Sequence, residues 1–227
     1  MGKYFAVAID GPAAAGKSTV AKRVAQALGA LYLDTGAMYR AVGLYMLRHG
    51  VALDDIEGIK NHAAEARVDV KYVEGTQRVL LCGEDVSQAI RENAVSAAAS
   101  AVSAVPAVRE LLVARQREIA EGNAVVMDGR DIGTKVLPDA PVKVFLTASA
   151  EVRARRRFEE LQSKGQDVPY ERLLEEIRQR DHNDATRAAS PMVRAEDAAL
   201  LDSSDLTVDQ VVEAIVAMAR AKKEAAR

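Results

Sequence analysis

Nine residues near the N-terminus, Gly11-Pro12-Ala13-Ala14-Ala15-Gly16-Lys17-Ser18-Thr19, leave this chain few folds to choose from. They follow an apolar run at residues 5–9 and open a helical pattern at residues 20–28, so the loop must join a strand to a helix. In that setting G-x-x-x-x-G-K-[ST] is a phosphate-binding loop. Its glycines let successive backbone N–H groups converge on phosphate oxygens, and the helix N-terminus adds favourable partial charge. Lys17 has the reach for the β/γ-phosphates, and the Ser18 hydroxyl suits Mg²⁺. A chain of this kind binds a nucleoside triphosphate, and all nine loop residues are expected to line its site.

Further short apolar runs fall at residues 31–33, 124–127, 142–146 and, more weakly, 199–201, alternating with helical patterns. Each is brief and unalternating, as strands covered on both faces are. The pattern predicts an α/β fold, a three-layer αβα arrangement around a mostly parallel five-stranded sheet. Asp10-Gly11, Asp34-Thr35 and Asp128-Gly129 directly follow three of the runs. They therefore sit at strand C-terminal ends, where open α/β sheets bind ligands.

From about residue 68 to 86 the rhythm changes. Arg67–Val73 alternates polar and apolar residues, Glu74-Gly75 supplies a turn, and residues 78–81 run back, which predicts an antiparallel hairpin in a small insert. The Ala- and Ser-rich stretch 94–108, broken by Pro106, reads as closely packing small-residue helix. A helix from about Thr207 ends in a charged tail, residues 220–227, expected to fray. The expected organisation is one domain over residues 1–227, with the insert at about 60–95 and a helical lid at about 150–170.

The net charge of −2, with 28% charged residues, argues against a general nucleic-acid binder. One cysteine, Cys82, has no internal partner, which fits a reducing cytoplasm, and its apolar neighbours suggest a small core residue. No targeting or membrane segment is expected; Met1-Gly2 begins like an acylation signal, but Ala6 stands where Ser or Thr is needed. With 49% apolar residues the chain has the balance of an ordinary globular protein, and a monomer is expected.

The arginines separate a kinase from other phosphate-loop proteins. Arg40 follows the second strand and Arg130 the third, while Arg180, Asp184 and Arg187 fall at i, i+4 and i+7, one helix face. An enzyme joining two anionic phosphates must neutralise both, and a guanidinium forks onto phosphate better than an ammonium. Singly, each arginine also reads as a solvated residue; Arg180, for one, has Glu176 four residues back. Together, beside strand-end carboxylates, they point to an acceptor site. In 151–157, Glu-Val-Arg-Ala-Arg-Arg-Arg, Ser149 is an N-cap for a helix that either closes over the triphosphate, with Arg153 and Arg157 as phosphate ligands, or lies on the surface with Arg155–Glu159 and Arg156–Glu160 pairs. A guanine-reading N/T-K-x-D motif, which a regulatory switch needs, is not found.

GPAAAGKST, LDTGAMYR, MDGRDIGT and RDHNDATR, in this order and spacing and with LDSSDLTVDQVV near the C-terminus, resemble the bacterial-type cytidylate kinases, nucleoside monophosphate kinases of the phosphate-loop class. The resemblance covers nearly the whole chain. It implies ATP-dependent phosphorylation of CMP and dCMP, with the hairpin insert on the acceptor side. It assigns the cytosine ring to Ser100, Arg109 and Asp131, the ribose to Asp184 and Arg180, and the acceptor phosphate to Arg40, Arg130 and Arg187. Asp34, Thr35 and Tyr39 would line the acceptor site. Asp131 also makes independent sense: a carboxylate accepts from the amino group of cytosine, whereas uracil presents a carbonyl there. Relative to the family, this chain has alanine at Ala14 or Ala15 and serine at Ser18 where glycine is frequent.

The acceptor phosphate is already largely ionised at pH 7, so the reaction needs no general base. The histidines fit that expectation: His49 and His62 read as helix-surface residues and His182 as incidental to the site. Lys17, Arg40, Arg130 and Arg180 are the expected catalytic residues, acting through position and charge. Mg²⁺ would accompany ATP on Ser18; Asp34 and Asp128 either hold its waters or cap the helices that follow.

Overall fold

The computed structural model describes residues 5–163 and 165–225. The Met1-Gly2 start and the last two tail residues lie outside the described residues. In chain order the elements are β1 (Ala6–Asp10), α1 (Lys17–Leu28), β2 (Leu31–Asp34), α2 (Thr35–Arg48), α3 (Ile56–Ala63), β3 (Val68–Val73), β4 (Thr76–Leu81) and β5 (Glu84–Asp85). Then come α4 (Asn93–Ser103), α5 (Pro106–Glu121), β6 (Val125–Gly129), β7 (Val142–Thr147), α6 (Ala150–Ser163), α7 (Tyr170–Thr186), β8 (Ala199–Asp202) and α8 (Val208–Ala225). The chain forms two compact units, one of Leu31–Asn123 and one of Phe5–Ala30 with the residues from Ala124 onward.

The second unit is built on β1. All five of its residues are buried, and it pairs in parallel with β6 on one edge and β7 on the other. The mostly parallel five-stranded sheet expected from the sequence is present, and four of its strands lie in this unit in the order β6-β1-β7-β8. Parallel register aligns Asp10 with Gly129 and Thr147 with Asp202, so the strand ends share one side of the sheet. Helix α1 buries Val20, Ala21, Val24 and Ala25 at helical spacing. It stops at left-handed Gly29, where the amides of Gly29 and Ala30 return to the carbonyls of Gln26 and Ala25.

In the other unit, α2 packs against α4 with almost no space between backbones. A Cβ on Gly43 would lie 2.8 Å from the amide nitrogen of Ala99. That approach explains the small residues of α4, Asn-Ala-Val-Ser-Ala-Ala-Ala-Ser-Ala-Val-Ser. The expected single small-residue helix is two, bent by 99° where Pro106 opens α5. The expected hairpin is there as β3 and β4, with Glu74 and Gly75 both at positive φ in its two-residue turn. A third strand, the charged pair Glu84-Asp85, completes the sheet and was not foreseen.

Three further expectations need correction. Cys82 is exposed, not a core residue: the chain turns there at φ 50, and its thiol donates to the Glu65 carbonyl. Arg187 lies beyond the end of α7, so it does not share a helix face with Arg180 and Asp184. The C-terminal tail is helical through Ala225. Among the described residues no single helix is long and apolar enough to cross a membrane.

Two phosphate-loop residues have opposite backbone demands. A Cβ on Gly11 would stand 2.0 Å from the Leu146 carbonyl oxygen, whereas Ala14 already holds φ 59, which suits glycine better. Denaturant unfolding should show Gly11→Ala losing more than about 2 kcal/mol and Ala14→Gly gaining roughly 0.5 kcal/mol. Equal effects of the two changes would rule out this loop geometry.

Candidate active site

The phosphate loop leaves β1 at Asp10 and enters α1 at Lys17. Lys17 is buried, and its Nζ donates to the Pro12 carbonyl at 2.6 Å, which folds the side chain back over the loop. Burial, then the nearby Arg130 and Arg180 guanidiniums, push its ammonium well below the usual lysine range, against the opposing pull of Asp128 and Asp10. Three cationic side chains thus influence one another beside a loop of backbone amides, which is the electrostatic condition for binding a polyphosphate.

Ser18 donates to Asp128 Oδ2 at 2.9 Å. A serine hydroxyl and a strand-end carboxylate are hard oxygen donors, and Mg²⁺ is usually held by one or two such groups plus phosphate oxygens and water. The pair therefore fits that ion. Among the described residues no group of three or more His, Cys, Asp or Glu is placed to hold a metal without substrate. Asp34 behaves differently from Asp128. It caps α2, accepting from the Ala37 amide at 2.8 Å, and it holds Arg40 at 2.9 Å.

The predicted acceptor residues divide between the two units. In the unit containing β1, Arg130 Nε donates to Asp184 Oδ2 at 2.8 Å, bringing together two residues separated by 54 positions. Asp131 is buried, and the Arg187 guanidinium lies 3.9 Å from its Oδ1. Arg187 reaches it from outside the helix, fixed by a 2.6 Å bond from its Nε to the Ser190 carbonyl. Glu176, the suggested partner of Arg180, accepts instead from Arg172.

In the other unit, Thr35 is buried beside the Asp34–Arg40 pair, and the buried guanidinium of Arg109 lies 5.5 Å from the Tyr39 ring centroid. Arg109 also donates to the Ser103 carbonyl at 3.3 Å, and Ser100 is half-buried one turn before that residue. The structure thus groups Asp34, Thr35 and Arg40 at one end of β2, and Tyr39 with Arg109.

The two arginines expected on the triphosphate have protein partners. Arg153 is buried, donating to the carbonyls of Ala148 and Ala13 and to Asp181 on α7 at 2.6 Å. It ties the phosphate loop to both helices α6 and α7. Arg157 pairs with Glu160 on the helix surface. Ser149 caps α6 as expected, accepting from the Val152 amide. The suggested Arg155–Glu159 and Arg156–Glu160 pairs are replaced: Arg155 lies over the Tyr170 ring and Arg156 binds Ser203.

Sequence reasoning missed Asp10 and Asp181 as site-building residues. Asp10 accepts from the amides of Ile132 and Gly133, both at 2.7 Å, and so fastens the segment that follows Arg130 and Asp131. Its position immediately before the phosphate loop was the available signal. Asp181 offered none, because its partner Arg153 is 28 residues away.

A cytidylate kinase family model matches residues 7–221. The chain belongs to the cytidylate kinase family. It is 52% identical over 228 residues to a cytidylate kinase of Mycolicibacterium paratuberculosis, covering all of both chains. It is 55% identical over 209 residues to one of Caldanaerobacter subterraneus subsp. tengcongensis, covering 92% of each. Its fold is similar to that of a gluconokinase from Sinorhizobium meliloti, with a TM-score of 0.50, 16% identity, and coverage of 99% of this chain and 97% of that one. The expected kinase class and phosphate-loop fold therefore hold for this cytidylate kinase family member.

Burial raises the Asp10 carboxyl from 3.8 to about 6, more than its two amide bonds and Lys17 can offset. Because the folded value exceeds the unfolded one, the native chain takes up this proton first as pH falls. The cost of the ionised group, about 3 kcal/mol, is thus relieved between pH 6 and pH 4. Relative to Asp10→Asn, wild-type stability should improve over that interval in parallel urea titrations. A constant difference would show that Asp10 titrates normally.

Proposed function

We propose that this chain transfers the γ-phosphoryl group of ATP to CMP or dCMP, giving ADP and CDP or dCDP. The observation that carries the proposal is the phosphate loop itself, with Lys17 buried and folded onto the Pro12 carbonyl and Ser18 bonded to Asp128, in a chain whose relatives are cytidylate kinases. The phosphate-loop amides and Lys17 hold the donor phosphates. Arg40, Arg130 and Arg187 hold the acceptor phosphate, Arg180 and Asp184 the ribose, and Ser100, Arg109 and Asp131 the base, with Thr35 and Tyr39 lining the acceptor.

The acceptor oxygen attacks as an anion, so the protein need not remove a proton from it. What the protein must do is bring two anions into line and lower their repulsion. Lys17, Arg130 and Arg180 supply fixed positive charge where the transferred group passes, and Lys17, desolvated, interacts with it more strongly than an exposed lysine would. Ser18, with Asp128 acting through water, would hold Mg²⁺, which would supply positive charge against the donor phosphates. Helices α6 and α7 act as the lid that excludes water, with Arg153 anchoring them to the loop. The site works in the cytoplasm on free nucleotides, in a single kinase domain.

Asp131 is the residue that selects cytosine, because its carboxylate accepts from the exocyclic amino group and would oppose the uracil carbonyl. Steady-state assays pairing ATP with CMP, dCMP, UMP and AMP test this. CMP and dCMP should be strongly preferred, and ATP hydrolysis without an acceptor should be slow. Asp131→Ala should cost about 1–3 kcal/mol of that preference, whereas Lys17→Ala should cut turnover while leaving the preference intact. Equal use of UMP by the wild type would contradict the proposal.

A further inference from the structure

The three-stranded sheet holds β2 by side chains. Gln77 on β4 accepts from the Asp34 amide through Oε1 at 2.8 Å, and its Nε2 approaches the Asp34 carbonyl at 3.4 Å. A primary amide presents a donor and an acceptor side by side, so it satisfies the main chain of Asp34 much as a neighbouring strand would. Two residues earlier, Tyr72 on β3 donates its hydroxyl to the Tyr32 carbonyl at 2.9 Å. Burial pushes that phenol up to about 12, so it remains a donor at any working pH. Tyr72 and Gln77 are themselves partners across β3 and β4, so both contacts come from one rung of the hairpin.

The residue so held is the one that fixes Arg40. Asp34 ends β2, caps α2 through Oδ1 and carries Arg40 on Oδ2, with Arg91 a further 3.9 Å from the same oxygen. Nor is there slack beneath the pair: a Cβ on Gly36 would lie 3.3 Å from Asp34 Oδ1 and 3.4 Å from Arg40 Nη1. Rotation of the Asp34 backbone would therefore move the helix cap and the guanidinium together.

We propose that Gln77 is a positioning residue for the acceptor site, holding the Asp34–Arg40 pair from the three-stranded sheet through both main-chain groups of Asp34. The inference rests on the reading of Arg40 as an acceptor-phosphate ligand. On this reading the antiparallel sheet sets the angle at which Arg40 meets the acceptor. The donor half of the reaction should not feel Gln77.

The test is Gln77→Ala, read in two ways. Steady-state kinetics should show KM for CMP raised about tenfold, with KM for ATP and kcat within about twofold of wild type. Amide hydrogen exchange in the substrate-free protein should show the Asp34 amide exchanging at least about tenfold faster, with the β1 and β6 amides unchanged. Tyr72→Phe, which removes one oxygen atom, should raise KM for CMP in the same direction but less, and stands in if Gln77→Ala does not fold. An unchanged KM for CMP, equal rises for both substrates, or an Asp34 amide as slow as in the wild type would overturn the positioning role. Failure of the wild type to phosphorylate CMP would instead count against the proposed activity, since the exchange measurement needs no substrate.

Discussion

A lysine ammonium kept out of water, with guanidinium groups for neighbours, is the constraint around which the nucleotide-binding unit is arranged. Left alone, such a charge would lose its proton or drag its side chain to the surface. Here the Pro12 carbonyl accepts from it at 2.6 Å, while Asp10 and Asp128 offset the repulsion of Arg130 and Arg180. The compensation is incomplete. What it leaves is a standing demand for negative charge at the mouth of a loop of backbone amides, which is what the proposed donor role of the loop requires.

The carboxylates serve the arginines in a similar way. Arg40 rests on Asp34, Arg130 on Asp184 and Arg153 on Asp181. Pairs of this kind contribute little net stability when buried, because desolvation offsets most of the attraction. Their value lies in orientation: each carboxylate fixes the direction of its guanidinium, and for Arg40 and Arg130, on the proposed acceptor reading, a group already aimed loses less freedom on meeting a phosphate. Asp10 extends the principle to the backbone by pinning the segment after Arg130 through two amides.

The phosphate loop, the strand ends and the family were legible in the sequence because their signals are local. A strand buried on both faces announces itself as an apolar run, and Asp10, Asp34 and Asp128 follow such runs directly. Errors arose where a local pattern outlived its element. Spacing of i+7 carried Arg187 onto a helix that stops at Thr186, and an apolar run carried Cys82 into a core that the chain leaves at a positive φ. The charge of Arg153 marks it in the sequence, but its bond to the Ala13 carbonyl, 140 residues away, leaves no local signal. Gln77 was not legible at all: its partner is 43 residues away and no composition marks it.

Nitrogen-detected magnetic resonance reads the protonation of Lys17 directly. In the free protein its ammonium should deprotonate well below an ordinary lysine, and adding ATP with Mg²⁺ should move the midpoint back up as phosphate supplies the missing charge. An ordinary midpoint in the free protein, unmoved by nucleotide, would contradict the account.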